Sequence, residues 1–181
     1  MREIKLQSRY ANSLYILAKE DNILDKVLRD ILSIKDLCIK SHEFQVILRN
    51  PVIKPNLKKQ IINSLFKDTC EELTIKFLLL IIEKRRDLYL LGICEEFLHI
   101  YNEEHNIKKA RLVVAEDISP SLQEEIKNRL QDSLQANIDL ETEVDDRILG
   151  GFSLTVDDKQ YDASFRKKLL DLRNELLQTQ K

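Results

Sequence analysis

The spacing of apolar residues changes once along this chain, near residue 105, and this change limits the possible folds more than any other feature. Up to about residue 105, leucine, isoleucine and valine recur every three or four positions, which is the period of an α-helix. After about residue 108, helical segments are mixed with stretches that alternate apolar and polar residues, as β-strands do. We therefore predict two domains, residues 1–105 and 106–181, that meet at a polar stretch around residues 103–106.

The first domain is predicted to be a bundle of six helices. Asn50–Pro51 ends the third helix, because the residue before a proline avoids the helical conformation. Pro55 is placed at the head of the fourth helix, and Thr69 is the predicted N-cap of the fifth. The chain has only 3 Gly and 3 Pro, as expected for a mainly α protein. The predicted helices cover residues 4–20, 23–40, 43–48, the segment from 55, 70–84 and 88–105.

The second domain is predicted to be a small α+β unit with a β-hairpin. A short strand at its start is followed by a helix with Ser119 as N-cap. Two alternating segments, residues 138–144 and 148–156, are predicted to pair as antiparallel strands. A last helix is expected to begin near Asp162 as its N-cap. Its apolar stripe consists of Phe165, Leu169, Leu172 and Leu176. A unit of this size is too small to be stable unless a partner or the first domain covers this stripe.

Residue patterns of catalysis and of cofactor binding are not found in the sequence. No Gly-Lys-Ser/Thr follows Gly150–Gly151, so this pair indicates close approach of another backbone and not a phosphate loop. The 3 His and 3 Cys are too scattered for a metal site or a disulfide framework. Ser164 is expected at a helix start and not as a nucleophile. We predict a protein that is not an enzyme, with no catalytic, cofactor-binding or metal-binding residues.

The charge pattern argues against nucleic acid and against a membrane span. A net charge of −2 provides no overall field for nucleic acid, and the basic groups lie among acidic ones. The longest uncharged apolar run, residues 77–82, is far shorter than the roughly 20 residues of a spanning helix. The first residues have the pattern of neither a secretory signal nor a transit peptide. The remaining alternative is a helical nucleic-acid-binding or regulatory adaptor module.

Two predicted helices carry more apolar surface than a small bundle needs. The fifth is apolar nearly all round, and its charged residues form one narrow stripe of Glu72, Lys76 and Glu83. Such a helix is either central in the core or shared between the core and a partner. The first helix combines small residues with an aromatic one at Ala11, Tyr15 and Ala18, which suits a groove for an amphipathic helix. The helical pattern does not decide which flank faces the core.

Four segments, taken in order, resemble one known family. Residues 9–20 (RYANSLYILAKE) are similar to its first helix, and residues 50–53 (NPVI) to an inter-helix turn. Residues 148–152 (ILGGF), followed by residues 161–164 (YDAS), resemble its C-terminal signature. The family is the delta subunit of bacterial F-type ATP synthases, called the oligomycin-sensitivity-conferring protein in mitochondria. The chain departs from the usual residues of this family only in minor ways, at Ser13 and Phe165.

The resemblance implies a non-catalytic peripheral-stalk, or stator, subunit present as a single copy in a hetero-oligomeric complex. In that family the N-terminal domain binds the N-terminal helix of an alpha subunit, in a groove between the first and fifth helices. The residues implied for that groove are Tyr10, Ala11, Leu14, Tyr15, Ala18, Ile75, Leu78, Leu79 and Ile82. The C-terminal domain binds the C-terminal end of the b-subunit stalk, here through Phe165, Leu169, Leu172 and Leu176.

The same resemblance implies a structural turn at Gly150, Gly151 and Asp162. It also implies a location. The subunit would lie at the cytoplasmic face of the bacterial inner membrane, or at the stromal face of plastid thylakoids. There it would join the catalytic head to the b subunits during proton-driven ATP synthesis.

Overall fold

The computed structural model describes residues 2–157 and 159–178, and the chain forms two compact units, Met1–Tyr101 and Asn102–Lys181. The predicted fold class is confirmed: a helical N-terminal unit precedes a small α+β unit. The helices of the first part are α1 (Arg2–Glu20), α2 (Leu24–Lys40), α3 (His42–Arg49), α4 (Pro55–Phe66), α5 (Glu72–Glu83) and α6 (Leu90–Glu104). A 3₁₀ turn, Asp87–Tyr89, leads into α6.

All six helices contribute to one apolar core. Each places residues three or four positions apart on its inner face, as the sequence pattern predicted. Side chains with less than 2% of their surface exposed come from five of these helices and include Leu14, Ile31, Ile34, Ile62, Leu78, Ile81, Ile93 and Phe97. The third helix adds Phe44 and Leu48. Its Phe44 packs edge-on against Phe66 at the end of α4, with 6.3 Å between ring centroids.

The start of α5 is capped from another helix. The buried carboxylate of Asp30 on α2 accepts hydrogen bonds from the backbone N–H of Glu71 (2.8 Å) and from the Thr74 hydroxyl (2.7 Å). The prediction that Thr69 caps this helix is wrong. Its hydroxyl points back to the Phe66 carbonyl, and α5 begins only at Glu72. The capping acceptor is distant in sequence, so a local pattern could not identify it.

A buried ion pair connects three segments of the first unit. Lys58 on α4 pairs with Asp87 in the 3₁₀ turn. Lys58 has only 5% of its surface exposed, and Asp87 only 9%. The Lys58 ammonium also donates to the carbonyl of Leu48 at the end of α3 (2.8 Å). Because each charged group has a partner, the high cost of burying an isolated charge is offset.

The second unit contains a four-stranded sheet and two helices. Its elements are β1 (Ile107–Val114), α7 (Pro120–Leu134), β2 (Asn137–Val144), β3 (Phe152–Val156), β4 (Lys159–Asp162) and α8 (Phe165–Gln178). The strand order is β2-β1-β3-β4. Ser119 is the N-cap of α7, as predicted, because its hydroxyl accepts from the Leu122 N–H (3.3 Å).

The predicted pairing between residues 138–144 and 148–156 is wrong. Strand β1 lies between β2 and β3: it pairs in parallel with β2 and antiparallel with β3. The crossover helix α7 between β1 and β2 allows their parallel pairing. The hairpin of this unit is formed by β3 and β4, which pair antiparallel. Alternation indicated strands correctly but did not identify their neighbours, and β4 has too few apolar residues to produce the pattern.

The segment before β3 is a turn and not a strand. A 3₁₀ turn at Asp146–Ile148 is followed by positive φ angles at Leu149 (63°), Gly150 (134°) and Gly151 (76°). The prediction of Asp162 as the N-cap of α8 is also wrong. Asp162 ends β4, whereas the Ser164 hydroxyl accepts from the Lys167 N–H (3.2 Å) at the helix start, the role predicted for Ser164.

Candidate partner-binding surfaces

One side of α1 is buried in the core. Ala11, Leu14, Tyr15 and Ala18 are each no more than 4% exposed. Beside them runs a second set of residues three or four positions apart, which we call the α1 row: Leu6, Tyr10, Ser13 and Leu17. Leu6 and Tyr10 are half-buried, and Leu17 is 46% exposed. The α1 row is therefore a flank next to the buried side of this helix that is accessible from outside and carries three apolar side chains.

The flank of α5 nearest to this row is identified by a ring contact. Tyr10 of α1 packs edge-on against Phe77 of α5, with 6.3 Å between centroids. The residues on the same side of α5 as Phe77, three or four positions from it, form the α5 row: Leu73, Phe77 and Leu80. Leu80 is 42% exposed and Leu73 is half-buried. The two rows together form what we call the α1–α5 groove.

The opposite flank of α5 is directed towards α4. Leu79 and Ile75 lie one and two helical turns before Glu83, respectively. The Glu83 carboxylate pairs with Lys59 of α4 at 2.9 Å. Ile75 and Leu79 are half-buried in this position. They are separated from the α1 row by the width of the helix.

The structure thus brings only part of the predicted groove set together at an accessible surface. Tyr10 lies in the α1–α5 groove, whereas Ile75 and Leu79 lie on the α4 side of α5. The other six, Ala11, Leu14, Tyr15, Ala18, Leu78 and Ile82, are buried. That all nine contact a partner stays a prediction. Leu6, Leu17, Leu73 and Leu80 were not among the predicted site residues. Their signal in the sequence is an apolar residue beside the core stripe, at the same helical spacing.

Polar contacts hold Tyr10 in place at the groove. The Arg86 guanidinium, just after α5, donates to the Tyr10 hydroxyl at 2.7 Å and lies over its ring, 5.2 Å from the centroid. The neighbouring Tyr89 hydroxyl donates to the Glu3 carboxylate of α1 (3.2 Å), and this hydrogen bond raises the pKa of Tyr89. The segment after α5 is therefore linked to the first half of α1 at two points.

Helix α8 of the second unit has an exposed apolar stripe. Phe165, Leu169 and Leu172 are 52%, 57% and 52% exposed. Leu176 belongs to α8, but its side chain lies outside the described residues. The amide N–H of Phe165 donates to the Gly150 carbonyl (2.9 Å), so the start of the stripe is tied to the turn before β3.

The predicted structural turn joins that segment to α8. A side chain at Gly151 would place its Cβ 2.4 Å from the carbonyl oxygen of Ala163, and at Gly150 a Cβ would meet the ring of Phe165 at 2.6 Å. The carboxylate of Asp162 accepts from the Ser164 N–H at 2.9 Å. Hydrogen bonds from the side chain and the backbone of Ser164 lower the pKa of Asp162. The signature residues thus pack two backbone segments closely together.

Exposed aromatic residues next to this turn were not predicted. Phe152 of β3 and Tyr161 of β4 face each other, with 6.0 Å between centroids, and are 39% and 65% exposed. The Phe152 carbonyl accepts from the Ala163 N–H (2.9 Å), so β3 is hydrogen-bonded to the segment that leads into α8. In the sequence, these positions looked like ordinary strand residues. The alternation of apolar and polar residues does not show which face of the sheet is covered by a neighbouring element.

The described residues include neither a helix suited to spanning a membrane nor a cluster suited to binding a metal ion. Among the helices there, none has the length and apolar character to cross a bilayer. Within the same part of the chain, no group of three or more His, Cys, Asp or Glu side chains is placed to hold a metal ion.

Comparison with known proteins identifies the family. The family model for the ATP synthase delta (OSCP) subunit matches residues 6–176. The chain belongs to this family. Membership makes it a peripheral-stalk subunit of an F-type ATP synthase.

Individual relatives match nearly the whole length of the chain. ATP synthase subunit delta of Clostridium botulinum (strain Langeland) is 34% identical over 172 residues, which cover 95% of this chain and 96% of the relative. The Cytophaga hutchinsonii subunit delta is 30% identical over 174 residues, covering 96% and 95%. A chain in the cryo-EM structure of the Toxoplasma gondii mitochondrial ATP synthase hexamer has a TM-score of 0.72 and 26% identity, covering 95% of this chain and 97% of its own length.

Proposed function

We propose that this chain is a non-catalytic connector between the catalytic head of an F-type ATP synthase and its membrane-anchored b subunits. The first unit binds the N-terminal helix of an alpha subunit, and the second unit binds the C-terminal end of b. The chain acts as one copy per complex, peripheral to the membrane at its cytoplasmic face. The observation that carries this proposal is the α1–α5 groove, where the α1 and α5 rows leave leucines accessible beside the core.

The groove has the properties that an amphipathic partner helix requires. Its two sides carry Leu17 and Leu80, which are close to half exposed in the chain alone. Burying a leucine side chain contributes about 1.5–3 kcal/mol, so a few such contacts give firm binding. Tyr10 is already held by Arg86 and Phe77 and loses little freedom when a partner binds.

An apolar contact also suits the mechanical task. A stator connection has to stay closed while the rotor turns, and exposed ion pairs contribute only about 0–1 kcal/mol each. Larger apolar interfaces are characteristic of permanent assemblies. The exposed stripe Phe165, Leu169 and Leu172 offers such a surface on α8 for the end of the b stalk.

The groove is tested with a pair of variants at neighbouring positions. Leu17→Asp places a charge in the α1 row, whereas Ile16→Asp places one at a position with nearly the same exposure, 45% against 46%, on another side of α1. The measurement is calorimetric titration of the full chain with a peptide from the start of the cognate alpha subunit. We expect Leu17→Asp to weaken binding by about 10- to 150-fold, the equivalent of one buried leucine. Ile16→Asp should bind normally.

The groove assignment is wrong if Ile16→Asp weakens binding as much as Leu17→Asp. It is also wrong if Leu17→Asp and Leu80→Asp, both folded by circular dichroism, bind the peptide as the parent chain does.

The contact with b is tested separately on the second unit. Leu169→Asp changes the exposed stripe of α8, and Leu122→Asp, at a 42% exposed position of α7, is the matched control. Co-purification with a soluble b-subunit fragment should be lost for Leu169→Asp and kept for Leu122→Asp. Equal retention by both variants would remove α8 from the proposed b contact and leave the groove unaffected.

A further inference from the structure

A cavity of about 410 Å³ opens on the first unit, away from the α1 and α5 rows. We call it the basic cavity. Its wall is the turn between α3 and α4, which contains the NPVI segment that the proposed contacts leave unused. The buried pair of Lys58 and Asp87 lies in its lining. Arg49, Val52, Lys54, Arg85 and Leu88 also line it.

The lining of the cavity carries a net positive charge. Lys58 and Asp87 neutralise each other, which leaves Arg49, Lys54 and Arg85 as the net charge of the cavity. All three are exposed. Within the described part of the chain, none of their side chains takes part in a hydrogen bond or ion pair. Three uncompensated cations around one cavity attract a carboxylate-bearing ligand.

The cavity is also apolar enough to hold side chains. Val52 is 84% exposed and Leu88 is 56% exposed, whereas Leu48 and Ile82, which also line the cavity, are buried. Val52 is the most exposed of the large hydrophobic residues described. In the same turn, the Asn50 side chain accepts a hydrogen bond from the Val52 N–H (2.9 Å). An exposed valine between cations combines an apolar contact with charge selection.

We propose that the basic cavity is a second docking site, for an acidic peptide segment of another subunit of the same assembly. The segment inserts one apolar side chain between Val52 and Leu88, and its carboxylates pair with Arg49, Lys54 and Arg85. This inference rests on the proposed function, since it places the chain inside that complex. It differs from the groove contact in position and in chemistry: the groove selects apolar side chains, and the cavity selects negative charge.

The test is photo-crosslinking in cells that assemble the whole complex. p-Benzoylphenylalanine is placed at Val52 in the cavity, at Leu17 in the α1–α5 groove, and at Leu65. Leu65 is a 47% exposed control on α4 outside the cavity lining. Mass spectrometry identifies the crosslinked peptides. We expect position 52 to capture one segment of net negative charge from a subunit of the complex, and position 65 to capture none.

Charge reversal then shows whether the cations select the partner. Arg49→Glu combined with Arg85→Glu should reduce the crosslink at position 52 by about tenfold or more, because both rim contacts become repulsive. Lys67→Glu combined with Lys127→Glu, which changes the net charge equally at exposed sites outside the lining, should leave it unchanged.

The outcomes separate this inference from the proposed function. If position 17 crosslinks but position 52 does not, the second docking site is wrong and the connector function stands. The same conclusion follows if the segment captured at position 52 is neutral or basic, or if its yield is insensitive to the charge reversal. If the folded chain crosslinks at neither position and does not purify with the complex, the connector function itself is wrong, and the docking site with it.

Discussion

The two units of the chain bury their apolar residues to different extents. In the first, residues from all six helices form one closed core, and the buried charges Lys58, Asp87 and Asp30 each have partners. In the second, the buried apolar residues described are few: Ala110, Leu112, Val114, Ala136 and Ile138. Helix α7 has no fully buried residue, and the described part of the α8 stripe is more than half exposed.

This difference indicates where stability and binding reside. The first unit has enough buried surface for its own fold, and the apolar surface that its α1 and α5 rows offer a partner is narrow. The second unit leaves apolar surface uncovered, as interaction sites do. Substitutions in the core of the first unit should therefore reduce stability, whereas substitutions in the stripe of the second should reduce assembly.

The largest effect is expected from breaking the buried ion pair. Asp87→Ala leaves the Lys58 ammonium buried without its counter-charge, which should destabilise the first unit by about 3–5 kcal/mol. Urea denaturation followed by circular dichroism measures this. The counterpart in the second unit is Glu143→Ala, which removes the exposed pair with Arg111 and should leave the transition unchanged. Equal transitions for Asp87→Ala and the parent chain would mean that the pair does not stabilise the fold.

The same contrast explains what the sequence could predict. Helical spacing identified the six helices, because burial on one side leaves a periodic pattern. It did not identify the neighbour of each flank: the α5 row faces Tyr10 because of tertiary packing, and the cap of α5 comes from Asp30. In the second unit alternation indicated strands, but the order β2-β1-β3-β4 depends on pairing over long separations. Surface sites depend on these same relations between elements.

Truncating one leucine in each unit tests the contrast at equal side-chain size. Leu14→Ala removes a side chain that is 1% exposed and should cost about 2–5 kcal/mol, as core truncations do. Leu169→Ala, at a 57% exposed position, should change the free energy of unfolding by less than about 0.5 kcal/mol. Urea denaturation of both variants provides the comparison. A loss of several kcal/mol for Leu169→Ala would show that α8 is packed as a core helix and not left for a partner.

A glycine substitution in each unit has a smaller expected effect. Gly151→Ala introduces a Cβ 2.4 Å from the Ala163 carbonyl at a φ of +76°, and should destabilise the second unit by about 1–3 kcal/mol. Gly92→Ala in α6 meets only the end of the flexible Gln7 side chain, which can move, and the helix gains from alanine. Thermal unfolding should therefore show a clear loss for Gly151→Ala alone. An equal loss for both would contradict the special role of the turn before β3.

The smallest effect is expected from a half-buried carboxylate of the second unit, that of Asp145. Hydrogen bonds from Arg147 lower the pKa of Asp145 to about 2, whereas an unfolded chain has an aspartate pKa of about 3.9. Because the folded pKa is the lower one, this contact stabilises the fold above about pH 4, and the contribution is lost as the pH falls towards 2. Asp145→Asn should therefore be less stable than the parent chain at pH 6, with the difference shrinking below pH 4. The check is urea denaturation of both proteins from pH 6 to pH 2.5. A difference that persists unchanged at pH 2.5 would mean that the carboxylate charge is not its source.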